Sequence, residues 1–530
     1  MKKSIALLIV LCMLLSFVAC TNNPAHETQT TAPATEPTDV PEGDSTGIQK
    51  GGILQVATSG DPDSMLVYRY RNNGTALLAI YEGLMVFDET GTPQPFLAES
   101  VVGDVDSLTY TIKLREGITF HDGSELNAEV CKWNLDMYKT EGALSTSFFS
   151  NVESTEVLDE YTVVIHLSAW DSLLPAALSR QPGYMQSKLA HDTYGADYCA
   201  THPVGTGPFK FKSFEQGVKI SVEKYEDYWQ GEPYLDGIDF VVYTTPLVAQ
   251  AAMESGEIHS WQASNYDVAA YLQNEGFNIV QSAIPYCCYA ISFNCVGEDP
   301  LADIRVRQAI ACAIDRDSIA TILDKEFGIV TNQYVPSTSA FYNPGIDGYS
   351  YDVEKAKELL AEAGYADGFS TSIIVYDNMS ALDICLIIKE QLAEVGIDVE
   401  VKTVDIGSYL LSIDGWESGM IAHPMTLDNG IDSQLAAIFR QGLESGLGVK
   451  SFIHPDDLDE CIERGLNSSG EESVKAFQEA MQLIFDEYCM VKAIAVNFKA
   501  TVENPGVHDT GLGAISSYSA TLWKAWMEQD

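Results

Sequence analysis

The stretch Leu108–Met137, LTYTIKLREGITFHDGSELNAEVCKWNLDM, decides the reading of the fold. Leu108, Tyr110, Ile112 and Leu114 alternate with Thr109, Thr111 and Lys113. That period of two describes a strand with one buried face. Arg115-Glu116-Gly117 predicts a tight turn, Ile118 to Phe120 a short returning strand, and His121-Asp122-Gly123-Ser124 a second turn. Asn127 stands where a side-chain oxygen can accept from the free N–H groups of a first helical turn. Val130, Trp133 and Met137 then fall on one helical face. Alone, a strand, a turn and an amphipathic helix say only α+β; the helix–strand alternation from Asp352 onward makes the expected class α/β.

Outward from this stretch the same mixture continues. Tyr81–Phe87 reads YEGLMVF, and Pro95–Ser100 reads PFLAES. Pro203–Phe209, PVGTGPF, is a Gly-Pro turn feeding a strand. It is no phosphate loop, because Pro208 lacks the N–H that a phosphate would need. Tyr225–Trp229 and Gly231–Phe240 come next, and Ile304–Ile319 reads IRVRQAIACAIDRDSI. In that last run Val306, Ala309, Ile310 and Ala313 have helical spacing, with Arg305, Arg307 and Gln308 placed on the solvated face. From Asp352 onward, apolar helical stripes ended by Gly364 and Gly396 alternate with the strands Ser370–Tyr376 and Ile397–Val404. A late amphipathic helix through Phe477 and Phe485 precedes the strand Val491–Phe498.

Taken together, LREG-ITFHDGSELNAE-V, the EGL, P-LAES and GTGPF segments and the IRVRQAI helix resemble the extracellular solute-binding proteins of family 5, receptors for peptide and nickel ABC importers. The resemblance runs from about Gly51 to the C-terminus. It implies a two-lobed periplasmic-binding-protein-like fold (type II, with an extra subdomain in the first lobe) and a hinged cleft. The first lobe would comprise residues 51–285 plus 491–530, with 82–203 as the extra subdomain, and the second 286–490. Crossings between them are expected near Ile284–Tyr289 and Val491–Asn497.

Composition bounds the partners. The 530 residues are enough for more than one core. A formal net charge of -46 argues against nucleic acid or an anionic membrane surface as the main partner. Lys2 and Lys3 precede an apolar run ending at Ala19-Cys20, the pattern of a cleaved signal segment over residues 1–19. Ser16–Cys20 resembles a lipobox, so Cys20 is the expected lipidation site, with Phe17 in place of the usual Leu. Residues 20–50 form a Thr/Pro/Glu-rich tether with a reach on the order of 30 Å. Together these place the protein on the outer face of the cell membrane. Of 11 cysteines, nine remain after Cys12 and Cys20, an odd number without CxxC spacing.

The implied activity is capture of a short peptide or similar polar solute between the lobes and delivery to membrane permease subunits. A monomer suffices, and no motif calls for a cofactor or a metal. The alternatives are a receptor for an oligosaccharide or a chelated metal, and an exported hydrolase. Against the hydrolase, none of the nine histidines stands in HExxH spacing and no GxSxG elbow occurs. His121-Asp122 resembles an acid/base pair only on paper, since Asp122 in a Gly turn accepts local N–H bonds. A cleft that buries a small polar ligand needs flat apolar walls with a few polar groups. The candidates are Tyr68, Arg69, Tyr70, Trp261, Tyr286, Tyr289 and Trp416, with ordinary packing the other reading of each aromatic. Family resemblance implies an acidic residue after Trp416 for a ligand ammonium. Asp428 is the candidate, with Glu417 second. His259 is either a ligand or metal contact or a loop histidine.

Overall fold

The computed structural model describes residues 47–529 except 89–90, 143–144, 264–265, 324–327, 377–378, 417, 428–429, 445 and 514–518. The expected signal segment, Cys20, most of the expected tether, Glu417 and Asp428 lie outside the described residues. Two sheets organise the chain. The first has seven strands, in the spatial order 278–281, 500–503, 260–262, 53–58, 237–242, 219–224 and 209–215. The second has six, in the order 328–330, 491–497, 287–293, 420–426, 369–376 and 397–404. This is the α/β, two-lobed periplasmic-binding-protein fold.

The first sheet separates two cores. Leu54, Val56, Ile220, Val222, Ile238 and Phe240 face a large core shared with residues 65–209. Ala57, Trp261, Ala500 and Val502 face a smaller one, closed by the helices Pro246–Glu254 and Tyr266–Asn274. The antiparallel strands 98–104, 109–114, 162–167 and 152–159 form a separate four-stranded sheet that contributes to the larger core. Here the opening stretch has its strand, Thr109–Leu114, in the alternating pattern that the sequence prescribes. Asn127 caps the helix Ala128–Glu141 by accepting from Val130 N at 3.1 Å.

The helix face is shifted by one position from the one expected. Ala128, Cys131, Leu135 and Tyr138 are buried, while Val130, Trp133 and Met137 are half-buried. Asn134 hides the true stripe, because it is polar yet buried. Its amide donates to Val130 O and Gln186 O, and its Oδ1 accepts from Gln186 N. A polar residue reads as solvent-facing until its partners are known.

Arg307 also departs from expectation. It is 2% exposed rather than on a solvated face. Its guanidinium donates to the carbonyls of Leu301, Ala302, Tyr488 and Cys489, tying the start of its own helix to the far end of the helical run Glu471–Glu487. Arg305 does lie at the surface, paired with Asp303 at 2.6 Å.

The family-like segments meet around Glu82. Gly205 and Gly207 have no room for a side chain, since a Cβ at Gly205 would stand 1.9 Å from Ile80 O. That close approach brings Thr206 Oγ1 to Glu82 Oε2 at 2.9 Å. Tyr228 Oη and Trp229 Nε1 donate to the same carboxylate at 2.6 and 3.1 Å. Glu82 has no exposed surface, and burial raises its carboxyl to about 7 against the three donors.

Candidate ligand-binding cleft

The chain passes from the first sheet to the second between Gln281 and Cys287, and returns between Asn497 and Ala500. The strand Val491–Asn497 belongs wholly to the second sheet, so the return comes at residues 498–499, later than the family resemblance placed it. All seven of its residues are buried, and nothing local separates such a strand from a crossing. The two crossings bond to each other. Ser282 N donates to Lys499 O at 2.9 Å, Lys499 N to Ser282 Oγ at 3.0 Å, and Tyr286 N to Asn497 O at 2.7 Å.

This connection defines which ends of the sheets adjoin the crossings. In the first, Ile53–Thr58 runs parallel to Gly237–Val242 and Ser260–Gln262, and Ala263 N donates to Ala500 O beside the crossing. The carboxyl ends of these parallel strands therefore adjoin the crossings, the place where open α/β sheets bind ligands. A cavity of about 160 Å³ lies there. Its polar lining comes from Thr58, Ser59, Thr75, Tyr243, Gln262 and Thr501, with Trp261 as the large flat wall and, among the described residues, no charged side chain. In the second sheet the corresponding end is the row Gly328, Asn497, Cys287 and Thr426, joined by successive strand pairs.

A larger hollow of about 420 Å³ has all its walls between residues 314 and 351. Movement of one lobe against the other does not seal it, so the smaller cavity beside the crossings is the better cleft. The two lobes also share an electrostatic interaction near that end. Burial raises the Asp432 carboxyl, and the positive charge of Arg180, from the region of the four-stranded sheet, opposes the rise.

The expected site residues divide accordingly. Trp261 lines the cavity and is 7% exposed. Tyr286 lies in the first crossing with the Lys499 ammonium 4.7 Å from its ring centre. Tyr68 is packed in the larger core with its hydroxyl 3.2 Å from His191 Nε2. Arg69 pairs with Glu141 at the surface at 3.0 Å. Tyr70 is half-buried, its ring against Gly74, and the side chain of that segment that reaches the cavity is Thr75. Tyr289 sits inside the second sheet beside His423 and Pro424.

Trp416 is in the second core at 3% exposure, edge-on to Phe452 at 5.7 Å, its indole N–H donating to Gly419 O at 3.2 Å. It precedes Met420, which pairs with Phe293, whereas Thr426 pairs with Cys287 at the crossing. The intervening strand puts Trp416 about 20 Å from the end that position 428 follows. Trp416 thus lies at the end of this strand away from the crossings. His259 is structural: its Nδ1 accepts from Gln55 N at 3.0 Å. So is His121, where Gly205 N donates to Nδ1 and Nε2 donates to Gly207 O at 2.8 Å. Burial lowers the His121 ring to about 4.

Sequence reading missed Thr58, Ser59, Thr75, Tyr243, Gln262 and Thr501. All but Thr501 stand at or beside strand or helix ends where the chain turns, which is the only local sign they carry. Among the described residues no cluster of three potential metal ligands occurs, and no helix is long and apolar enough to cross a membrane.

A sequence profile of the Bacterial extracellular solute-binding proteins, family 5 Middle, matches residues 92–442. The glutathione-binding protein GsiB of Escherichia coli O157:H7 is 31% identical over 425 residues, covering 77% of this chain and 82% of that protein. GsiB of Salmonella typhi is 34% identical over 342 residues, covering 64% of this chain and 66% of that protein, so the chain spans just under two thirds of that relative. Among solved structures, DppA from Helicobacter pylori in complex with the peptide STSA has a TM-score of 0.72 at 25% identity, over 91% of this chain and 99% of that one. CtaP from Listeria monocytogenes reaches 0.79 at 21% identity over 91% and 100%, a likeness of fold.

Proposed function

This chain belongs to the bacterial extracellular solute-binding proteins of family 5, and from that premise we propose that it is the receptor of an ABC importer. It captures a short peptide or similar polar solute between its lobes and presents the closed complex to membrane permease subunits. The observation that carries this reading is the neutral, hydroxyl-rich cavity with its Trp261 wall, set at the carboxyl ends of parallel strands beside both crossings. Such a site binds without covalent chemistry; the ligand selects the closed state by touching both lobes. Similarity to glutathione- and peptide-binding relatives supports the peptide assignment. Lipidation of Cys20 would hold the body at the outer face of the cell membrane. Cys20→Ala is expected to release it from the membrane fraction.

A second reading has its own support. A lining of Thr, Ser, Tyr, Trp and Gln without charge also suits a sugar. The deciding experiment uses protein beginning at Thr21, produced in rich medium and desalted under native conditions. Its intact mass is compared before and after denaturation, and the released molecules are identified. Peptides of a few residues support the proposal. A single sugar or metal chelate keeps the receptor class and overturns the peptide assignment, and chemical turnover of the ligand would point to a hydrolase instead.

A further inference from the structure

Among the described residues, two side-chain carboxamides have both the N and the O buried without a hydrogen-bond partner, Gln186 and Asn497. Gln186 lies beside Asn134 in the first lobe, where its main chain is held at both ends. Asn497 is different in place. It is the last residue of Val491–Asn497, directly before the crossing to the first sheet, and it is 1% exposed. Its main-chain O accepts from Tyr286 in the other crossing. Its strand partners are Cys287 on one side and Gly328 on the other, and Gly328 brings no side chain to the pair.

An amide left with an unused donor and an unused acceptor costs the folded state far more than a hydrocarbon of the same shape. Each such group in a native protein calls for an explanation, and a functional partner is one of them. We infer that the Asn497 carboxamide is a specificity-determining ligand contact, donating to a carbonyl and accepting from an N–H of a peptide bond in the captured ligand. Opening about the two crossings, one of which begins at the next residue, gives the ligand access to it. The pair of bonds distinguishes an amide, which offers both a donor and an acceptor in fixed geometry, from an ester, which offers only acceptors. This rests on the peptide reading above.

The test compares wild type with Asn497→Leu, which is near in shape and has no polar end. Asn497→Ala covers the case in which Leu does not fit. Each is stripped of ligand in denaturant, refolded, and incubated with a mixture of synthetic peptides of two to five residues. Bound peptides are quantified by mass spectrometry. The tightest binder is then measured by calorimetry beside its analogue with one peptide N–H replaced by an ester oxygen.

The expected result is a loss of about 10- to 100-fold in affinity for either variant, from two neutral hydrogen bonds. The ester should bind wild type more weakly and the variants about equally. Ligand-free variants should have a urea midpoint no lower than that of wild type. Unchanged affinity in the variants overturns the role of Asn497, as does a large fall in the ligand-free midpoint, which would make Asn497 a structural residue. If wild type itself retains no peptide, the peptide reading fails, and this inference fails with it.

Discussion

Glu82 has no water to turn to, and its three donors reach it from two other family-like segments. Its raised carboxyl fixes the sign of a pH effect. The folded protein keeps the proton to about pH 7, whereas the unfolded chain releases it near 4.5. Its contribution is therefore full below about pH 4.5 and is lost as pH rises through 7. Relative to Glu82→Gln, wild type should lose roughly 2–3 kcal/mol of stability between pH 5 and pH 8, read from urea unfolding at each pH. A difference that does not change with pH would show that the three donors hold the carboxylate ionised. The two tryptophans are the second comparison at this scale. Trp261→Ala should weaken ligand binding by about 1–2 kcal/mol, because it removes the flat wall of the cavity. Trp416→Phe should leave affinity within about twofold and lower stability instead, since only a packed ring and one internal hydrogen bond change.

At the scale of elements, the IRVRQAI helix is held by what looked like a surface residue. Arg307 satisfies four carbonyls, two of them at residues 488 and 489, where the helical run ends and Cys489 adopts a positive φ of 44°. Arg307→Ala should destabilise the protein by about 2–4 kcal/mol, with Arg307→Lys recovering part of that loss. Ligand affinity of the folded protein should not change, because none of these contacts belongs to the crossings or the cavity. A calorimetric titration beside a denaturation curve checks both statements. Periodicity marked this helix and its exposed Arg305 correctly, and Arg307 incorrectly. Arg at an i+3 position is written the same way whether its guanidinium meets water or a set of carbonyls. The same ambiguity displaced the face of the helix Ala128–Glu141, where Asn134 is buried because the main chain of Gln186 pairs with it.

For the whole molecule, the proposed function makes two sheets joined by two bonded crossings a device whose closed state is stabilised by whatever touches both sides. A ligand at 100 times its dissociation constant should add about 2.7 kcal/mol to stability. That corresponds to a rise of roughly 5–10 °C in melting temperature for a cooperative unit of about 200 residues. Small-angle scattering should show a smaller radius of gyration on saturation, and an unchanged radius would exclude closure as the response.

Within the chain, neighbours a few residues apart determined a great deal. Alternation and helical stripes marked the strands 109–114 and 397–404, the caps and the glycine stops. The combination of short segments identified the family and with it the two-lobed fold. These features are local because backbone hydrogen bonding and the burial of one face repeat every two or every three to four residues. Tertiary structure alone decided which strand ends adjoin the crossings. That separated Trp261 from Trp416, two aromatic residues that look alike in sequence, and brought Thr75 to the cavity in place of Tyr70. It also buried Arg307, Asn134 and Asn497. The physical reason is that a polar side chain's environment is set by partners from distant parts of the chain, and no local period records them.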